Sequence, residues 1–150
     1  MLRALKNMGR ASLVAAIAAT ATTGVAHAGQ TMTVFKSPSC GCCQLWVDRM
    51  EDAGFDVQTR DTQFMQSIKR EHGISRQFAS CHTAIIGDYV IEGHVPAKEI
   101  RKLLKNQYEV SGLAVPGMPA GSPGMEMGNR KDSYNVIAFT ESRAGIFASY

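Results

Sequence analysis

Residues 32–46 read Met32-Thr33-Val34-Phe35-Lys36-Ser37-Pro38-Ser39-Cys40-Gly41-Cys42-Cys43-Gln44-Leu45-Trp46. A strand-forming run gives way to Ser-Pro-Ser, and three cysteines then fill four positions before an apolar-periodic stretch begins. The pattern is a strand-to-helix junction that carries thiols. A bond between adjacent Cys42 and Cys43 is strained, and one between Cys40 and Cys42 closes a very tight ring. Cys40 and Cys43 have the Cys-x-x-Cys spacing. A helix N-terminus at this point stabilises thiolates through its dipole and its free N–H groups. Thiols held close yet hard to pair fully point first to a soft metal and second to redox chemistry.

Working outward, residues 44–53 predict a helix with Leu45, Trp46, Met50 and Ala53 near one face. Asp48, Glu51 and Asp52 lie near the other, and Gly54 is its stop. Phe55-Asp56-Val57-Gln58 alternates and predicts a second strand. Asp61 or Thr62 caps a second helix carrying Phe64, Met65 and Ile68 and ending at Gly73. A loop through Ile74 and Phe78 reaches Cys81-His82. Residues 83–86 and 89–92 form a hairpin turning at Gly87-Asp88, and Pro96 opens a third helix with Ile100, Leu103 and Leu104 inward.

Strand, helix, strand, helix, strand, strand, helix is the order of a thioredoxin/glutaredoxin-like core, so the fold class is α/β (βαβαββα). Residues 112–128 are a Met/Pro/Gly-rich loop, and two strand-like runs within 134–150 read as an added C-terminal β-hairpin.

The first 28 residues read as a secretory signal peptide, leaving one domain over 29–150. Arg3, Lys6 and Arg10 form its basic start, Ala, Val, Ile and Thr dominate residues 12–26, and Ala26-His27-Ala28 fits a cleavage site. The expected location is periplasmic, with no stable membrane insertion. Cleavage takes three of the sixteen basic residues and leaves thirteen against thirteen acidic ones. A neutral chain argues against nucleic acid as a partner. Lys98, Arg101, Lys102 and Lys105 read as the solvated face of the third helix. In an oxidising compartment four cysteines also allow three full disulfide pairings.

In folds of this order the loop before the third strand lies against the junction motif and normally carries a cis-proline. Here it reads Ser80-Cys81-His82-Thr83. By that analogy Cys81 joins Cys40, Cys42 and Cys43 at one end of the sheet. Soft thiolates favour Cu(I), zinc and iron–sulfur clusters. Cu(I) suits crowded thiols best, because a thiolate can bridge two ions. Zinc prefers four ligands spread tetrahedrally, and iron–sulfur spacings are missing. His82 and His94 are further candidate ligands or groups that orient a thiolate. Met118 and Met125 offer thioether sulfur, while Met127 reads as a loop residue plugging apolar surface. His72 reads as solvated and Trp46 as core.

At Cys40-Gly41-Cys42-Cys43, Ser80-Cys81-His82-Thr83-Ala84, Glu92-Gly93-His94-Val95-Pro96-Ala97 and Gly112-Leu113-Ala114-Val115-Pro116-Gly117-Met118-Pro119 the chain resembles the CopG-like family of exported bacterial copper-resistance proteins. The likeness runs roughly over residues 31–150. It implies a thioredoxin-like domain whose Cys40, Cys42, Cys43 and Cys81 hold Cu(I) as a multinuclear thiolate-bridged cluster, with His82 and His94 nearby. The expected partners are copper ions and other periplasmic copper-handling proteins. The expected function is copper binding in homeostasis or resistance. The rival is an enzyme, a copper or thiol–disulfide oxidoreductase, the latter using Cys40 and Cys43.

Overall fold

The computed structural model describes residues 30–150, so the expected signal peptide over 1–28 lies outside the described residues. The first strand, β1 (Met32–Lys36), alternates strictly, with Met32, Val34 and Lys36 buried. The helix α1 (Gly41–Asp52), the strand β2 (Val57–Asp61), the helix α2 (Met65–Glu71), β3 (Thr83–Ile86), β4 (Tyr89–Glu92) and α3 (Ala97–Asn106) follow in the expected βαβαββα order. Three more strands complete the chain: β5 (Gly112–Ala114), β6 (Asn135–Phe139) and β7 (Ala144–Ser149).

All seven strands form one sheet in the order β2-β1-β3-β4-β5-β6-β7. β1 pairs β2 in parallel and β3 antiparallel, and β3 pairs β4 antiparallel. The expected loop over 112–128 in fact begins with a strand. Gly112 to Ala114 lies parallel to β4 and antiparallel to β6, so the C-terminal hairpin continues the central sheet. Gly112 makes this possible, since a Cβ there would fall inside the contact radius of the Val90 carbonyl oxygen.

Helix α1 starts three residues before the expected position. Its buried stripe is Cys43, Trp46, Val47 and Met50, at the i, i+3, i+4 and i+7 positions of one face. Leu45, expected inward, is 54% exposed, while Trp46 is fully buried as expected. The helix ends as the sequence indicates: Gly54 has φ +83° and donates to the Glu51 carbonyl, and Phe55 donates to Met50. In α2 neither Asp61 nor Thr62 is the cap residue. Phe64 holds that position, 73% exposed, with its N–H donating to Thr62 Oγ1. The buried residue of α2 is Lys69.

On α3, Ile100 and Leu103 are buried and Leu104 is half-buried, while Lys98, Arg101, Lys102 and Lys105 are exposed. Two of these cations cover apolar rings, Arg101 above Phe55 at 5.6 Å and Lys102 above Phe147 at 4.3 Å. The main core lies between α1, α3 and the sheet, around Met32, Val34, Trp46, Met50, Ile91 and Leu113. Among the described residues no helix is long and apolar enough to cross a membrane.

Candidate metal centre

The junction after β1 brings three cysteines to the start of α1. Cys40 is the cap residue, and Cys42 and Cys43 lie in the first turn. The loop before β3 supplies Cys81. The Cys42 sulfur stands 3.5 Å from that of Cys40 and 4.0 Å from that of Cys81. All four sulfurs lie within 4.8 Å of one another, which is the convergence expected from fold analogy. The chemical state differs from four free thiols. Cys40 and Cys43 are joined in a disulfide, with Cα atoms 5.3 Å apart, and Cys42 and Cys81 are free and half-buried.

Both expected histidines stand at the same place. The Cys81 sulfur lies 3.0 Å from His94 Nε2 and 3.4 Å from His82 Nδ1. His94 Nδ1 lies 2.8 Å from the Pro123 carbonyl oxygen. A carbonyl only accepts, so Nδ1 carries the proton, and the bare Nε2 accepts from the Cys81 thiol. His82 is fully buried against the Trp46 ring at 4.4 Å and the His94 ring at 5.0 Å, and its Nε2 has no partner among the described residues.

Burial, reinforced by Lys69 and by the repulsion that a second protonated ring beside His94 would meet, holds His82 well below the ordinary imidazole range. Burial also lowers His94, so both rings are neutral, the form that ligates metals. His72, expected in solvent, is half-buried with its ring 6.1 Å from Phe35.

A buried polar network, which the sequence reading missed, fixes the Cys81 loop. Glu92, fully buried at the end of β4, accepts from the Ser80 backbone N–H at 2.6 Å and from Lys69 Nζ at 2.5 Å. Its other oxygen accepts from Thr83 Oγ1 at 2.6 Å, and Lys69 also donates to Thr83 at 3.1 Å. The signal present in sequence was the acid ending an otherwise apolar strand, Tyr89-Val90-Ile91-Glu92. Its partner, Lys69, looks like any solvent-facing helix lysine.

The Met/Pro/Gly-rich segment crosses the site as a strap. Ser80 Oγ donates to the Gly117 carbonyl, and the Gly117 N–H donates back to Ala79 at 3.2 Å. Pro123 supplies the carbonyl on His94. Gly124, with φ +81°, presses on the first turn of α1, where a Cβ would stand 2.7 Å from the Trp46 nitrogen and 2.8 Å from the Cys42 oxygen. Arg49 on α1 donates to Glu126 at 3.1 Å, and Glu126 accepts the Gly124 N–H at 2.7 Å. Met125 is half-buried beside this contact, whereas Met118 and Met127 are 54% and 70% exposed.

Burial and the neighbouring Cys42 push the Cys81 thiol up to about 12. A raised value means less thiolate at any given pH, and the thiolate is the reactive form. Alkylation of Cys81 by iodoacetamide, followed by peptide mass spectrometry, is therefore expected to be at least about tenfold slower at pH 9 than in the unfolded chain. Its rate should climb roughly tenfold per pH unit until near the folded value. A rate at pH 7 equal to that of the unfolded chain would contradict this burial.

Residues 78–125, which hold Cys81, both histidines and most of the strap, match the model of a family described as protein of unknown function, DUF411. No curated protein matches. The whole described fold superimposes on two solved structures. One is described as copper resistance protein CopG, Form 2, with a TM-score of 0.78, and the other as Form 1 of the same protein, with 0.77. Each is 41% identical, and each match covers 81% of this chain and 98% of the other. With the sheet, the four converging sulfurs and this likeness over nearly the full length of its relatives, the chain belongs to the CopG-like family of copper resistance proteins.

Proposed function

We propose that this chain is a periplasmic copper-binding protein of copper homeostasis or resistance, exported by its 1–28 segment. It holds Cu(I) through Cys40, Cys42, Cys43 and Cys81 once the Cys40–Cys43 disulfide is reduced. The observation that carries the reading is the placement of four sulfurs within 4.8 Å of one another at one end of the sheet. So many soft donors in so small a space suit bridged Cu(I), which accepts low coordination numbers, better than a hard cation. The solved structures described as copper resistance proteins favour the same cargo. In this reading His82 and His94 complete or orient the thiolate site. Met118 and Met125 serve as softer donors on the strap, and the thioredoxin-like core is a rigid support.

The test is an anaerobic Cu(I) titration of the fully reduced protein against a strong competing chelator, with bound ions counted by native mass spectrometry. Several ions are expected in the reduced protein, and fewer when Cys40–Cys43 stays closed. A reduced protein that surrenders all its copper to the chelator would sink the reading.

One observation favours a second reading. Cys40–Cys43 is already oxidised, with the free Cys42 thiol 3.5 Å from Cys40, close enough for thiol–disulfide exchange. Catalysed insulin reduction that disappears in Cys43→Ser would move the oxidoreductase ahead. Against it stands the loop at Ser80-Cys81-His82-Thr83, which lacks the proline that helps redox members of such folds bind peptides.

A further inference from the structure

We propose that Glu126 is a positioning residue for His94: by holding the Gly124 N–H it turns the Pro123 carbonyl onto His94 Nδ1, and so fixes which ring nitrogen faces Cys81. The inference rests on the copper reading for its use, and it adds to that reading a residue outside the donor set.

Ser122-Pro123-Gly124-Met125 is a β-turn, closed by the Met125 N–H on the Ser122 carbonyl at 2.8 Å. Proline at the second place fixes φ at about −65°. Gly124 at the third place has φ +81°. That combination is a type II turn. Types I and II differ by a half-turn of the central peptide, which exchanges the sides on which its C=O and N–H stand. The ends of this turn are held elsewhere. The Ser122 N–H and Oγ both donate to the Pro119 carbonyl, at 3.2 and 2.7 Å, and the Met125 carbonyl accepts the Gly121 N–H at 2.9 Å. The peptide between Pro123 and Gly124 is therefore the part with two settings.

Opposite edges of that one plane carry two contacts. The Pro123 oxygen lies 2.8 Å from His94 Nδ1, and the Gly124 N–H donates to Glu126 Oε2 at 2.7 Å. A trans peptide is planar, with its C=O and N–H pointing opposite ways, so gripping one end aims the other. Glycine does not make the choice, because it adopts the negative φ of a type I turn as readily. Its missing side chain is demanded separately, by the close approach to the first turn of α1. In the type I setting the Pro123 carbonyl would face the Glu126 carboxylate, acceptor against acceptor. The carboxylate thus selects the turn. Arg49 Nε, donating to Glu126 Oε1 at 3.1 Å, leaves Oε2 for the N–H.

The consequence falls on His94. With the carbonyl in place, Nδ1 keeps the proton and the bare Nε2 faces the Cys81 sulfur at 3.0 Å. With the carbonyl turned away, Nδ1–H would lose its acceptor inside the protein, which is costly. The proton then belongs on Nε2, where the Cys81 sulfur accepts it, and the lone pair a metal needs is covered. The ring keeps the same number of protons and only their place changes.

The readout is the His94 tautomer, measured by long-range 1H–15N correlation in metal-free, disulfide-intact protein carrying 15N-histidine, at about pH 8, where the ring is neutral. The Nδ1–H form is expected in the parent. Glu126→Ala should lower the ratio of the Nδ1–H to the Nε2–H form at least about tenfold. Glu126→Gln, whose amide oxygen still accepts from Gly124, should restore most of that ratio. A role in stability alone would not move the proton between the two nitrogens. The Glu126 side chain is 43% exposed, so both variants should fold, which the amide shifts away from the strap check. In the reduced protein, Cu(I) affinity should fall about ten- to hundredfold in Glu126→Ala.

An unchanged tautomer in Glu126→Ala overturns the inference. So does a Glu126→Gln protein that behaves like Glu126→Ala, since the grip on the N–H would then not be what matters. The Cu(I) titration of the parent is read separately. A tautomer shift in a protein that binds no Cu(I) defeats the copper reading alone, and Cu(I) binding with an unmoved tautomer defeats this inference alone.

Discussion

Replacing Glu92 by alanine is expected to destabilise the protein by about 3–5 kcal/mol, the cost of breaking a buried ion pair from one side. Glu92 is fully buried and Lys69 is 3% exposed, so no water replaces the lost carboxylate. The ammonium of Lys69, the Ser80 N–H and the Thr83 hydroxyl would all lose an acceptor at once. Urea unfolding followed by circular dichroism measures the effect as a fall in midpoint at constant slope. Glu92→Gln keeps an oxygen for Ser80 but leaves the buried cation uncompensated, so it should also lose stability. Adding Lys69→Met to Glu92→Gln removes that cation and should recover more than half of the loss. The double variant keeps the loop in place only if the Ser80 contact matters more than the charge pair, which the rate of Cys81 alkylation reports. A single Glu92→Ala variant as stable as the parent would show that the network is not what fixes this loop.

Cys42→Ser is expected to collapse copper loading while leaving the fold intact. Its sulfur stands between those of Cys40 and Cys81, 3.5 Å from one and 4.0 Å from the other. A bridging thiolate at that point would join ions bound on either side. Structural zinc sites with four ligands are worth about 10–16 kcal/mol, roughly 3 kcal/mol per ligand, or about a hundredfold in affinity for each one lost. Removing a shared ligand should therefore reduce the number of tightly held Cu(I) ions as well as their affinity. Cys42 is half-buried in the first turn of α1, where serine is well tolerated, so thermal stability of the metal-free protein should shift by less than about 1 kcal/mol. The parent stoichiometry retained in Cys42→Ser would mean that this sulfur bridges nothing.

The elements of the core were legible because each carries its signal locally. The hairpin over 83–86 and 89–92, the stop at Gly54 and the α1 junction all follow from runs of a few residues. What sequence concealed is set by distant neighbours. Gly112-Leu113-Ala114 has no strand signature of its own and pairs only because β4 and β6 flank it. Leu45 looks inward by hydrophobicity alone, but it stands about 100° round the helix from Trp46 on the side away from Val47, outside the stripe that faces the sheet. Lys69 is an ordinary helix lysine until Glu92 arrives from another element to neutralise it.

The convergence of Cys81 on the junction was readable only through the order of elements, since most of the intervening chain separates it from Cys43. The place of His94 was suggested by its neighbours in sequence, but its tautomer depends on a carbonyl of the strap. Cys40–Cys43 was visible as a spacing, and its oxidised state was not. For Met118 and Met125 the sequence supplied chemistry without position, and the structure leaves Met118 largely in solvent.

The spacing of the cysteines along the chain also sets an order in time. Cys40 and Cys43 are three residues apart, whereas Cys42 and Cys81 are separated by 39. Closing the short loop is favoured over the long one by about 2 kcal/mol of chain entropy. A polypeptide made from its N-terminus also exposes the first pair while Cys81 has yet to emerge, by a few seconds at roughly 5–20 residues per second. An oxidant met during synthesis thus captures the local pair first. Cys81 folds in afterwards, beside His94, without a rival partner among the bonded sulfurs. The sequence order protects the one thiol whose position depends on the finished sheet, and bridges from Cys81 to Cys40 or Cys43 are avoided without a dedicated corrector.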